Sequence, residues 1–120
     1  MHKIVVMDDE KDIVEDVKAY LEYKEYEVFS ALNGTSGLSL VLNQQPSLAI
    51  IDLNMPGLSG RKLIQEVRNA APNLPLIIAS GYAEADMKDV TFDLHNFIYL
   101  KKPMDLTQLE EVVGKLLPRN

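Results

Sequence analysis

Leu48-Ala49-Ile50-Ile51-Asp52-Leu53, followed by Asn54-Met55-Pro56-Gly57-Leu58-Ser59-Gly60, is the stretch that decides the fold. Its first part is a nearly continuous apolar run with no polar alternation, as a strand covered on both faces requires. It ends at an aspartate, and the Asn, Pro and Gly residues that follow read as a loop. Working outward, the same pattern recurs. Ile4-Val5-Val6-Met7 ends at Asp8-Asp9, Leu76-Ile77-Ile78-Ala79 ends at Ser80-Gly81, and Phe97 to Lys101 leads into Lys102-Pro103. Tyr26-Glu27-Val28-Phe29 reads as a further strand, with no comparable polar cluster after it.

Between the strands the period changes. Ile13, Val17, Tyr20 and Leu21 recur at helical spacing among charges. Asn33 is an N-cap for a helix carrying Leu38, Val41 and Leu42, which Pro46 ends. Leu63, Ile64 and Val67 mark a third helix, and Ala85 to Phe92 a weaker fourth. Asp105, with Gln108 three residues on, starts a last helix bearing Leu106, Leu109, Val112, Val113 and Leu116. Five strands alternating with five helices imply an α/β domain with a parallel sheet and helices on both faces.

The chain of 120 residues fits one domain over residues 1–120, and a 47% hydrophobic share is enough for a buried core. No apolar run approaches the roughly 18 residues that span a bilayer, and the four apolar residues after Met1-His2-Lys3 are too few for a signal-peptide core. Cysteine is absent, so thiolate metal sites and disulfides are excluded. A cytoplasmic location and no membrane association are expected. The net charge of −6, with Lys and Arg scattered along the chain, argues against direct nucleic-acid binding. Any regulatory output therefore passes through a partner or a fused domain.

In an open parallel sheet, ligands bind beyond the carboxyl ends of the strands. Those ends carry Asp8, Asp9 and Glu10, then Asp52, then Ser80, then Lys101 and Lys102. Each has an ordinary explanation alone: an Asp pair is common turn chemistry, a serine a loop hydroxyl, a lysine before proline a solvated side chain. Agreement among four strand ends is what carries weight. Carboxylates about 4 Å apart repel by roughly 4 kcal/mol at an effective dielectric near 20, which calls for a cation. The donors are all oxygens, which favours Mg²⁺ over zinc. A lysine and a hydroxyl on neighbouring strands complete a cradle suited to phosphoryl transfer, with an aspartate as nucleophile.

Asp8-Asp9, Asp52-x-Asn54-Met55-Pro56-x-x-x-Gly60, Ser80-Gly81 and Lys102-Pro103 together resemble the signature of response-regulator receiver domains, of the chemotaxis-regulator-like kind. The gaps of 43 residues from Asp9 to Asp52, 28 on to Ser80 and 22 on to Lys102 are similar to that family's. The resemblance implies a flavodoxin-like (βα)5 doubly wound fold of five parallel strands in order 2-1-3-4-5. It implies a signalling phosphoacceptor rather than an enzyme with an external substrate, taking part in its own Mg²⁺-dependent phosphorylation and slow autodephosphorylation. Asp52 would accept the phosphoryl group. Asp8, Asp9, Asp52 and the Asn54 backbone carbonyl would hold Mg²⁺. Lys102, in a cis bond to Pro103, would pair with the phosphoryl group, and Ser80 would move toward it as Tyr99 turns inward.

Strand alternation sends Lys101 and Lys102 to opposite faces, and Lys102 is the one assigned to the site. The resemblance also implies that Asn54, Gly81 and Tyr82 would modulate phosphoryl lifetime, and that Ile13, Pro103 and Met104 would contact the phosphodonor. The expected partners are a sensor histidine kinase or histidine phosphotransfer protein and a downstream effector or output domain. The face around the fourth helix, fifth strand and fifth helix would switch, with a homodimer through it as one outcome. Two departures stand out: Ser80 replaces the commoner threonine, and Leu94-His95-Asn96 precedes the fifth strand where Gly-Ala is usual. Two other readings compete. A degenerate receiver acting as an unphosphorylated docking module would usually lose one member of the Asp8/Asp9/Asp52/Ser80/Lys102 set. An aspartyl-phosphate phosphohydrolase would usually carry an aspartate at the place of Asn54.

Overall fold

The computed structural model describes residues 1–55, 60–82 and 94–117. The helix expected over 85–92 and the loop residues 56–59 lie outside these. The elements run β1 (Lys3–Met7), α1 (Lys11–Tyr23), β2 (Glu27–Ala31), α2 (Gly34–Gln44), β3 (Leu48–Asp52), α3 (Gly60–Ala70), β4 (Leu76–Ser80), β5 (Phe97–Lys101) and α4 (Leu106–Leu116). The strands form one parallel sheet in the order β2-β1-β3-β4-β5, the flavodoxin-like order expected, with four helices among the described residues.

Alternation along the strands divides the core in two. Ile4, Val6, Leu48, Ile50, Ile77 and Leu100 pack with Val17 and Leu21 of α1 and Leu109, Val112 and Val113 of α4. Val5, Met7, Ala49, Ile51, Leu76 and Ile78 pack with Val41 of α2 and Leu63, Ile64 and Val67 of α3. Helices therefore cover both faces, and β3 and β4 are buried at every position, which explains their unbroken apolar runs. Each fully buried Leu or Ile contributes about 1.5–3 kcal/mol relative to exposure.

The caps follow the sequence. Asn33 Oδ1 accepts the Ser36 N–H at 2.8 Å, and Asp105 Oδ1 accepts from Thr107 and Gln108. Two helix faces differ from expectation. In α1, Val14 is buried and Tyr20 only partly so. In α2, Leu42 is exposed, and the face against the sheet is Gly34, Gly37 and Val41. Gly37 lies so close to β1 that a methyl group there would overlap the Met7 Sδ and Cγ.

Arg68, in the last turn of α3, ties two connections together. Its guanidinium donates to the carbonyls of Ala71 (3.4 Å), Pro72 (3.1 Å) and Leu74 (2.7 Å), and across to His95 (3.0 Å). Asn96, left-handed at φ 58°, donates its side-chain amide to the Asn73 carbonyl and accepts the Leu76 N–H. The Leu94-His95-Asn96 stretch is thereby held against the turn before β4, which sets where β5 begins.

Candidate functional site at the carboxyl edge of the sheet

The ladder fixes which side chains meet. Met7 lies abreast of Ile51, so Asp8 and Asp52 emerge side by side. Hydrogen bonds continue past the strands: Asp8 N–H to Ala31, Leu53 N–H to Ala79, and Lys102 N–H to Ser80 at 2.7 Å. Among the described residues, Asp8, Asp52 and Ser80 are the buried polar ones, at 3%, 3% and 0% exposure. The Lys102 ammonium stands 2.9 Å from Asp8 Oδ2, 3.3 Å from Asp52 Oδ2 and 3.5 Å from Glu10 Oε1. Lys101 is exposed, and the Lys102–Pro103 bond is cis.

The outer carboxylate oxygens are also engaged. Asp52 Oδ1 accepts the Asn54 N–H at 3.1 Å, and Asp8 Oδ1 accepts the Glu10 N–H at 3.0 Å. Burial pushes the Asp52 carboxyl above its usual range; the Asp8 charge adds to this, while the Asn54 N–H and Lys102 act against it. Burial alone would lower the Lys102 ammonium, but its hydrogen bond to Asp8 and the charges of Asp52 and Asp8 leave it raised, so it stays protonated.

Asp9, Glu10, Asp52, Asn54, Gly81 and Lys102 line a cavity of about 300 Å³. Asp8, Asp9 and Glu10 each present an oxygen, all within 4.8 Å of one another. Asp52 is outside that trio and joins it through Lys102 and the shared cavity. The donor set fits a hard divalent cation: the ligands are oxygens, and the Lys102 ammonium, paired with Asp8, Glu10 and Asp52, leaves the four acids of this rim in excess of positive charge. Glu10 stands with Asp8 and Asp9 among the strand-end acids in the sequence, but no role was assigned to it there.

Ser80 Oγ accepts the Tyr82 N–H at 3.1 Å, and the Tyr99 hydroxyl donates to the Tyr82 carbonyl at 2.7 Å. Tyr99 is half-buried against the Ile51 and Ile78 side of the core, while Tyr82 is exposed. Ile13, Pro103 and Met104 lie apart from the carboxylates and line a second cavity, of about 230 Å³, with Asp16, Val17, Lys102 and Leu106. Lys102 borders both cavities.

The chain belongs to the response regulator receiver domain family, whose model matches residues 4–114. It is 34% identical over 122 residues to an uncharacterized response regulatory protein of Staphylococcus epidermidis, covering 99% of this chain and 48% of that one. It is 28% identical over 116 residues to sporulation initiation phosphotransferase F of Bacillus subtilis, covering 97% and 94%. Among solved structures, a receiver domain protein of Clostridium thermocellum superposes with a TM-score of 0.86 at 30% identity, covering 97% and 94%. The chain thus spans about half of one curated relative and nearly all of the other. Among the described residues, no helix is long and apolar enough to cross a membrane.

Proposed function

We infer that this chain is a phosphoacceptor of two-component signalling, acting as one receiver domain over residues 1–120 in the cytoplasm. Asp52 takes a phosphoryl group from a phosphohistidine donor. An Asp52 oxygen bonds to phosphorus as the P–N bond breaks, and the imidazole leaves. The observation that carries this reading is the Lys102 ammonium bridging Asp8 and Asp52, residues 94 and 50 positions away in the chain. An ammonium already beside the reacting carboxylate is placed to pair with phosphoryl oxygens, and needs little rearrangement to do so.

Asp8, Asp9, Asp52 and the Asn54 carbonyl are the groups to hold Mg²⁺, with Glu10 beside them. When bound, the ion neutralises charge on the transferring phosphoryl oxygens. Ser80 leaves its Tyr82 N–H to donate to the phosphoryl group, and Tyr99 responds through the same Tyr82 main chain. Asn54, Gly81 and Tyr82, at the cavity and its edge, tune phosphoryl lifetime. Ile13, Pro103 and Met104 receive the donor, a sensor histidine kinase or histidine phosphotransfer protein. The face carrying Tyr99 passes the signal to an effector, an output domain or a second copy.

The test is mass spectrometry after incubation with acetyl phosphate or a phosphohistidine donor and Mg²⁺. One added phosphate is expected, lost with chelator and in Asp52→Asn. Undiminished labelling of Asp52→Asn would refute the assignment.

A further inference from the structure

We propose that Glu10 is a positioning residue that tethers the Lys102 ammonium at the rim and competes with an incoming phosphoryl group for it; this rests on the phosphoacceptor reading. Glu10 occupies the N-cap of α1, in extended backbone, yet its side chain makes no capping bond. An aspartate at that place would ordinarily accept from the first-turn N–H groups, whereas the longer glutamate stem leaves its carboxylate available to reach elsewhere. Here the Asp8 Oδ1 hydrogen bond fixes the Glu10 N–H, and the Glu10 carboxylate lies instead 3.5 Å from Lys102 Nζ.

An ammonium has three N–H donors; Asp8 and Asp52 take two of them as hydrogen bonds, and the Glu10 carboxylate stands at ion-pair distance, 3.5 Å, beside the same nitrogen. A phosphoryl oxygen that approaches this nitrogen therefore meets the Glu10 charge beside the remaining donor. Asp8 and Asp52 are buried, closer, and held through their second oxygens by backbone N–H groups. Glu10 is the most distant of the three and its side chain is 62% exposed, so it is the acceptor that yields. It shares the cavity wall with Asp52 and Lys102. Acyl-phosphate formation removes the carboxylate charge of Asp52, leaving Glu10 and the phosphoryl oxygens as rivals for the Lys102 ammonium.

Two substitutions separate tether from charge. Glu10→Gln keeps the shape and removes the charge, while Glu10→Asp keeps the charge on a stem one methylene too short to reach Lys102. In Mg²⁺-free protein, the nitrogen-15 resonance of the Lys102 ammonium should move in both variants. At saturating Mg²⁺, both should be phosphorylated by acetyl phosphate about two- to five-fold faster than the parent, the scale of an exposed ion pair. Only Glu10→Gln should raise the half-saturating Mg²⁺ concentration. An unmoved Lys102 resonance, or a Glu10→Asp rate equal to the parent's, would overturn the tether. A parent chain that takes up no phosphate would defeat the phosphoacceptor reading, and the Lys102 resonance would still decide the tether.

Discussion

Replacing Lys102 by methionine keeps most of the side-chain volume and removes the cation between Asp8 and Asp52. Their oxygens lie 2.9 and 3.3 Å from one nitrogen. They are therefore no more than about 6 Å apart, where unit charges repel by roughly 3 kcal/mol at an effective dielectric near 20. Both residues are 3% exposed, so water replaces the lysine poorly. Breaking a buried ion pair on one side costs about 3–5 kcal/mol. Asp52, whose carboxyl burial already pushes up, escapes part of this by taking a proton. The expected loss is about 3 kcal/mol, or roughly 10 °C in Tm for a domain of this size. Urea and thermal unfolding followed by circular dichroism, with chelator and with Mg²⁺, measure it. Mg²⁺ should raise the variant's stability more than the parent's, because the ion then supplies the missing positive charge. A variant within about 1 kcal/mol of the parent in chelator, or equal Mg²⁺ gains in both, would refute the account.

Two further outcomes are expected. Because the folded Asp52 carboxyl is raised above its usual 3.8, the folded state holds that proton more tightly than the unfolded chain does. Its contribution to stability is complete below pH 3.8 and is lost as pH rises through the raised value. Asp52→Asn in chelator should therefore gain stability over the parent progressively above pH 3.8, and a constant difference across the titration would contradict this. Arg68→Met strips donors from the carbonyls of Ala71, Pro72, Leu74 and His95. It should cost about 2–3 kcal/mol in urea unfolding and speed hydrogen exchange at the Leu76 amide, while leaving phosphate uptake in place.

The sheet was legible because parallel strands buried on both faces write themselves as apolar runs, as β1, β3 and β4 do, while the partly buried edge strand β5 still carries the apolar run Phe97 to Leu100. The caps were legible because Asn33 and Asp105 use side-chain oxygens that only a few residue types offer. Helix α2 was harder. Its packed face is made by Gly34 and Gly37, which carry no hydrophobic weight, so the apolar pattern pointed to Leu42, which is exposed. The acids, the serine and the lysine at strand ends were readable from composition, since the fold brings strand ends to one rim. Glu10 was passed over because its neighbours already satisfied the expected pattern. The Arg68 tie left no mark at all, because its acceptors are main-chain carbonyls, present at every position of any sequence.

The two hydrogen bonds at Tyr82 leave from its N–H and its C=O, on either side of a single α-carbon. The span from the Ser80 hydroxyl to the Tyr99 phenol is therefore built of backbone, and the torsions of one residue govern its length. Position 82 should accept a wide choice of side chains, its own ring being turned to solvent. Proline there would remove the donor, and one added or deleted residue between 80 and 82 would put the span out of register. Natural variation at this place should thus be free in identity and strict in spacing.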